Sequence, residues 1–199
     1  LTSSTGRTLP VFVITGQSGA GKGTLIERLL GLFPQLELAV SATTRARRPD
    51  EVDGVHYYFI SDEEFDRRLA DDDFLEYHVF PWGQRSGTLV SEIDRIGEHG
   101  KVCVLELETE GALSVVDRIP DAVTIFVTAP IEELERRLHE RATESPLEIG
   151  ERLRVAREQL EVADRFDFRV ENRDLDRAVG ELSELVTRFA VPAGTMPRQ

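Results

Sequence analysis

The stretch Gly16-Gln17-Ser18-Gly19-Ala20-Gly21-Lys22-Gly23-Thr24 constrains this 199-residue chain more than any other feature. Before it stands Val11-Phe12-Val13-Ile14, a short apolar run rich in β-branched residues, of the kind that fills a buried parallel strand. After it, Leu25, Ile26, Leu29 and Leu30 recur at helical spacing. A strand, a glycine-rich turn and a helix in that order predict a phosphate cradle. Glycines let several backbone N–H groups converge on one anion, and the helix N-terminus adds the positive end of its dipole. Lys22 supplies a mobile point charge for the β- and γ-phosphates of a nucleotide. The pattern G-x-x-x-x-G-K is met, but Gly23 takes the next position and the hydroxyl comes at Thr24, the candidate contact for a Mg²⁺ ion.

The rest of the chain repeats that rhythm. Residues 102–105, 123–127 and 166–170 read as further strands, and helical patterns cover 112–116, 131–138, 149–162 and 178–189. Strands alternating with helices predict right-handed βαβ units and a parallel sheet, an α/β fold. Residues 41 to about 100 break the alternation. Within them 55–60 and 74–80 read as strands, and Ser61-Asp62-Glu63-Glu64 forms a capping box opening a short helix with Phe65 and Leu69 inward. This stretch is expected to form a small inserted lobe. Residues 191–199 carry two prolines and no periodicity and are expected to be mobile.

Charge narrows the partners. With 37 acidic and 24 basic residues the net charge is −13, so nucleic acid and anionic membranes are disfavoured. No run approaches the 18 apolar residues that a membrane span needs, and the first ten residues lack the apolar core of a signal peptide. The single cysteine, Cys103, lies in an apolar run and reads as a buried thiol in a reducing compartment, hence a cytoplasmic protein. In so acidic a chain an anionic ligand needs a local concentration of cations. Ser41-Ala42-Thr43-Thr44-Arg45-Ala46-Arg47-Arg48 provides it, and guanidinium forks suit a monophosphate. The competing reading is a solvated loop neutralised by Asp50, Glu51 and Asp53.

The cradle followed by Ser41-Ala42-Thr43-Thr44-Arg45, Arg48-Pro49, Glu51, Asp53-Gly54, Tyr57, Phe59 and Phe74-Leu75-Glu76 resembles the guanylate kinase family. The resemblance runs on through Glu133-Leu134, Arg137-Leu138, Arg141-Ala142-Thr143-Glu144, Arg152-Leu153 and Asn172, nearly the whole chain. It implies a P-loop nucleoside monophosphate kinase fold with a five-stranded parallel core, spanning 9–189, with core segments 9–41, 100–136 and 153–189, a GMP-binding lobe at 42–99, a helical lid at 137–152 and mobile tails at 1–8 and 190–199. It implies transfer of the γ-phosphoryl group of ATP to GMP or dGMP, with Mg²⁺ bridging the donor phosphates. Residues 16–24 and Asn172 would bind ATP. Arg45, Arg48 and Tyr57 would hold the GMP phosphate, with Ser41 and Glu76 reading guanine and Thr88 and Glu108 also in that site. Lys22, Arg45, Arg141 and Arg152 would act on the transferring group. Chemistry supports Glu76 independently, since guanine presents N1–H and its exocyclic amine side by side to one carboxylate.

The sequence also departs from the family. Gln17 stands where proline is usual, and Arg47 replaces another proline. Ser86 takes the place of a tyrosine that contacts the GMP phosphate, which makes Arg85 the candidate replacement. Glu106-Leu107-Glu108-Thr109-Glu110-Gly111 replaces a stretch usually ending Asp-x-Gln-Gly. Two other readings therefore stand beside catalysis on GMP: a binding module of the same fold without turnover, and a P-loop kinase for another small phosphorylated acceptor. The intact cradle argues against the first, and Ser41, Arg45, Arg48, Tyr57 and Glu76 argue against the second.

Overall fold

A computed structural model describes residues 10–80, 82–140 and 146–190. The expected tails at 1–8 and 191–199, and Arg141 with the start of the expected lid loop, lie outside them.

Five parallel strands build the core: β1 (Val11–Gly16), β2 (Leu36–Leu38), β7 (Val102–Glu106), β8 (Val123–Thr128) and β9 (Phe168–Glu171), in the order β2-β7-β1-β8-β9. All six residues of β1 are buried, as the central strand of a sheet covered on both faces requires. Side chains alternate across the sheet. Phe12 and Ile14 enter one hydrophobic cluster with Ile125 and Val127, while Val11 and Val13 enter another with Cys103, Leu105 and Phe126. Helices α1 (Lys22–Leu32), α5 (Ile131–Glu140), α6 (Pro146–Glu161) and α7 (Leu175–Ala190) contribute to the first cluster. Helices α3 (Val90–Glu98) and α4 (Thr109–Arg118) contribute to the second. No helix of the described residues is long and apolar enough to cross a membrane.

The lobe has its own sheet, in the order β4-β3-β6-β5, from β3 (Ala42–Thr43), β4 (Tyr58–Phe59), β5 (Phe74–Val79) and β6 (Arg85–Leu89). Its core is small: Ala42, Phe65, Phe74 and Leu89, with Phe65 stacked on Phe74 at 4.4 Å between ring centroids. Helix α2 (Asp62–Ala70) starts as expected, Ser61 Oγ accepting from the Glu64 N–H at 3.2 Å. Phe65 turns inward, but Leu69 stays 37% exposed.

Three expected boundaries shift. The strand at 55–60 shrinks to Tyr58–Phe59 because the chain first turns back, Gly54 N–H donating to the Tyr57 carbonyl with Gly54 in a left-handed conformation. Residues 90–98, placed with the lobe and not read as a helix, form α3, which buries Ile93 and Ile96 in one cluster with Val11, Val13 and Cys103, so the lobe sheet ends at Leu89. Leu138 and Ile149 of the expected lid are buried in the main core cluster. The passage from core to lobe is pinned by Glu92. Its buried carboxylate accepts from the Val40 N–H (2.9 Å), the Tyr58 hydroxyl (2.7 Å) and Arg95 (2.8 and 3.0 Å). Arg95 reaches on to Glu37 at 2.6 Å.

Candidate active site

The cradle forms where β1 meets α1, at the carboxyl edge of the sheet. Gly16 is required by its neighbour: a Cβ there would fall 2.0 Å from the Val127 carbonyl oxygen. Lys22 Nζ lies across the loop, donating to the carbonyls of Gly16 (3.1 Å) and Gln17 (3.4 Å). The loop is buttressed from below. Asn172 Nδ2 donates to the Ala20 carbonyl at 2.7 Å, and Arg137 donates to that same carbonyl (3.2 Å) and to the Asn172 carbonyl (2.8 Å). Asn172, expected near the ATP base, is thus 4% exposed beneath the loop, and its buried Oδ1 has no hydrogen-bond partner among the described residues. From α6, Arg152 Nε donates to Ser18 Oγ at 3.2 Å. Thr24 is exposed in the first turn of α1.

Lys22 also forms one wall of a cavity of about 280 Å³ that opens between cradle and lobe. Ser41, Tyr57, Glu76, Ser86 and Glu108, all expected acceptor-site residues, line it. Glu76 is 9% exposed, its Oε1 accepting from the Thr88 N–H at 2.9 Å, and burial pushes its carboxyl up from the ordinary value. Thr88 therefore stands behind Glu76 rather than in the cavity. The Ser86 hydroxyl donates to the Ala42 carbonyl at 3.0 Å.

The arginines divide. Arg45 lies over the rings of Tyr57 (5.3 Å) and Phe59 (5.7 Å) beside the cavity and makes a bidentate pair with Glu51 at 2.7 and 2.9 Å. Glu51 also accepts from the Arg48 N–H at 2.8 Å, and these contacts, the Arg45 fork first, hold its carboxyl down to about 2. The Arg48 side chain is exposed. Arg85 corrects the sequence expectation. Its guanidinium turns onto α2, paired with Asp62 (2.6 Å) and Asp66 and stacked over Phe65 at 4.5 Å, and it does not line the cavity. Two carboxylates and an aromatic face near α2 outcompete the empty position left by the missing tyrosine.

Sequence reasoning missed several cavity residues. His56, His78, Phe80 and Glu106 line it. Glu106 is open to solvent through the cavity mouth yet surrounded by protein, and burial raises its carboxyl while Lys22 draws it back. Gly111 is the other omission, for a Cβ there would fall 2.5 Å from Glu76 Oε2. A glycine in the first turn of α4, where alanine would favour the helix, was the available signal.

A lysine-bearing cradle that opens onto a cavity at the edge of a parallel sheet is the layout of a P-loop α/β kinase. The family model described as guanylate kinase matches residues 8–189. Curated guanylate kinases from Rubrobacter xylanophilus and Desulfitobacterium hafniense are 45% and 42% identical, over 90% and 88% of this chain and 94% and 88% of theirs. The crystal structure of guanylate kinase from Anaplasma phagocytophilum shares the fold, with a TM-score of 0.71 at 23% identity, covering 94% of this chain and 89% of that one. The chain belongs to the guanylate kinase family.

Proposed function

We infer that this protein transfers the γ-phosphoryl group of ATP to GMP or dGMP, giving ADP and GDP or dGDP, in purine nucleotide metabolism. The observation that carries the reading is that Lys22 and Glu76 line one cavity: the cation of the phosphate cradle faces the buried carboxylate that a guanine base needs. Phosphoryl transfer asks for in-line positioning and positive charge around the moving group, with little covalent help. An oxygen of the GMP phosphate attacks the γ-phosphorus as the bond to the β–γ bridging oxygen breaks, and ADP leaves.

The residues divide that work. Backbone amides of 16–24 and Lys22 hold the donor phosphates. Arg45, Arg48 and Tyr57 hold the acceptor phosphate, which takes over the position now filled for Arg45 by Glu51. Ser41 and Glu76 read the base, with Thr88 and Gly111 fixing where the Glu76 carboxylate sits. Arg152, and Arg141 by family resemblance, stabilise charge on the transferring group. Thr24 and Glu106 are oxygen donors of the kind Mg²⁺ takes alongside phosphate oxygens and water, and the bound ion would neutralise donor charge. The single buried thiol and the acidic surface suit a cytoplasmic protein.

ADP release measured with GMP, dGMP, AMP, UMP and CMP as acceptors tests this. GMP and dGMP should exceed AMP by roughly 10⁴-fold in kcat/KM, since a site whose buried acceptors go unpaired rejects the wrong base strongly. Equal use of AMP or a pyrimidine nucleotide would overturn the acceptor assignment, and ADP release with no acceptor would overturn the kinase itself.

A further inference from the structure

We propose that Gln17 and Gln159 are positioning residues that lock the phosphate loop to α6 and so hold Arg152 in register with the donor phosphates. The proposal rests on the kinase reading above.

Gln17 occupies the second position of the cradle, and its side chain does not face the ligand. The residue is 2% exposed and its amide is satisfied at both ends: Nε2 donates to the Ala156 carbonyl at 3.1 Å, and Oε1 accepts from the Ala129 N–H at 2.9 Å. Ala156 lies within α6, and Ala129 follows β8. One turn further along α6, Gln159 Oε1 accepts from the Ser18 N–H at 2.8 Å. Arg152, which reaches the Ser18 hydroxyl, precedes Ala156 by four residues and Gln159 by seven. That spacing puts all three on one helix face, turned to the loop. Consecutive loop residues are therefore fastened to three successive turns of one helix.

The fastening reaches both cations of the donor site. The Gln17 carbonyl is one of the two acceptors of Lys22 Nζ, and Arg152 is carried on the helix that the Gln17 side chain holds. Leu153 and Ala156 are buried in the main core cluster, so the segment is anchored on its inner side as well. Loop, Lys22 and Arg152 form one block. A buried glutamine bridging two backbone groups specifies a geometry that an apolar side chain of similar size cannot, because each partner is directional. A proline at this position would have no amide to offer.

The test is steady-state kinetics on the full chain, with ATP and GMP varied in turn. Gln17→Leu keeps the volume and the backbone N–H but removes both side-chain bonds. It should lower kcat by roughly 10- to 100-fold, the cost of a small misplacement of a catalytic group, with KM for GMP unchanged. Because the effect is routed through Arg152, adding Gln17→Leu to Arg152→Ala should cost little further, a non-additive cycle. Gln159→Leu, on a half-buried helix position, should reproduce the kcat loss even if Gln17→Leu folds poorly, and Gln159→Glu, which keeps an acceptor, should recover most of it. Losses that multiply in the double variant, a lowered melting temperature with unchanged kcat, or an Arg152→Ala enzyme at full rate would each overturn the clamp. If the unmodified chain releases no ADP with any acceptor, the kinase reading fails instead.

Discussion

The donor and acceptor halves of this molecule are built by different means. The cradle is made of backbone, at the edge of a buried five-stranded sheet, and its supports (Asn172, Arg137, Gln17) are held by hydrogen bonds to main-chain carbonyls and amides. The lobe core has four buried hydrophobic residues among the described ones, two of its strands are two residues long, and its proposed recognition groups are side chains rather than backbone. Among them, Arg45 is taken by Glu51. A backbone site is present before its ligand arrives. A side-chain site in an acidic protein keeps its cations neutralised until the ligand's phosphate displaces the resident carboxylate. On the proposed function, the difference gives phosphate chemistry to the half built from backbone and choice of acceptor to the half built from side chains.

The sharpest way to break that division is Lys22→Ala. Turnover should fall by about 10³-fold, as when a preorganised group facing developing charge is removed. GMP binding, followed through the fluorescence of Trp82, the only tryptophan, stacked on the cavity residue Phe80 at 5.0 Å, should persist. Equal loss of both would mean that the halves are not separable. Glu76→Gln comes next and should act on the other half: kcat/KM for GMP should drop by about 100-fold while KM for ATP stays within twofold, since a charge-assisted pair with the base is lost. A proportional loss for ATP would make Glu76 structural.

Gly111→Ala sharpens the comparison further. Were Gly111 only a helix residue, alanine would raise stability by about 1 kcal/mol. Because its Cβ would meet Glu76 Oε2 at 2.5 Å, the structure requires the carboxylate to move, and kcat/KM for GMP should fall by roughly 10-fold. Improved stability with unchanged GMP use would refute that contact. The smallest effect concerns Glu51. Its folded carboxyl, at about 2, lies below the ordinary 4.5, so its contribution to stability is present above about 4.5 and is lost as pH falls toward 2. Melting temperatures of the parent and of Glu51→Gln should therefore converge across that window, and a gap that stays constant would show that the charge of Glu51 does not matter.

Much of the donor site was legible in the chain because its parts are neighbours in sequence. Residues 11–32 contain strand, loop, lysine and helix, and each follows from local spacing. Glu76, proposed to read the acceptor base, was singled out through family resemblance and through the chemistry of guanine, and it lines the cavity. Arg85 was misread because its partners are 19 and 23 residues away on a helix whose orientation no local pattern states. No local pattern marks Glu92, yet it joins residues 52 and 34 positions distant. The lobe was carried to residue 99 with no helix read at 90–98, and it is the packing of Ile93 and Ile96 that joins α3 to the core.

Sequence by itself determined the alternation of strand and helix, the glycine cradle with its lysine, and an acidic chain that concentrates arginines after residue 40. These depend on backbone preference and residue spacing, which act over a few positions. Tertiary structure alone decided that Arg45 lies over a cavity-lining tyrosine while Arg85 turns to α2, which carboxylate each cation adopts, and that Gln17 spans the loop and α6. A side chain chooses its partner by distance and direction among groups brought together by folding, and neither quantity exists until the sheet and its helices are packed.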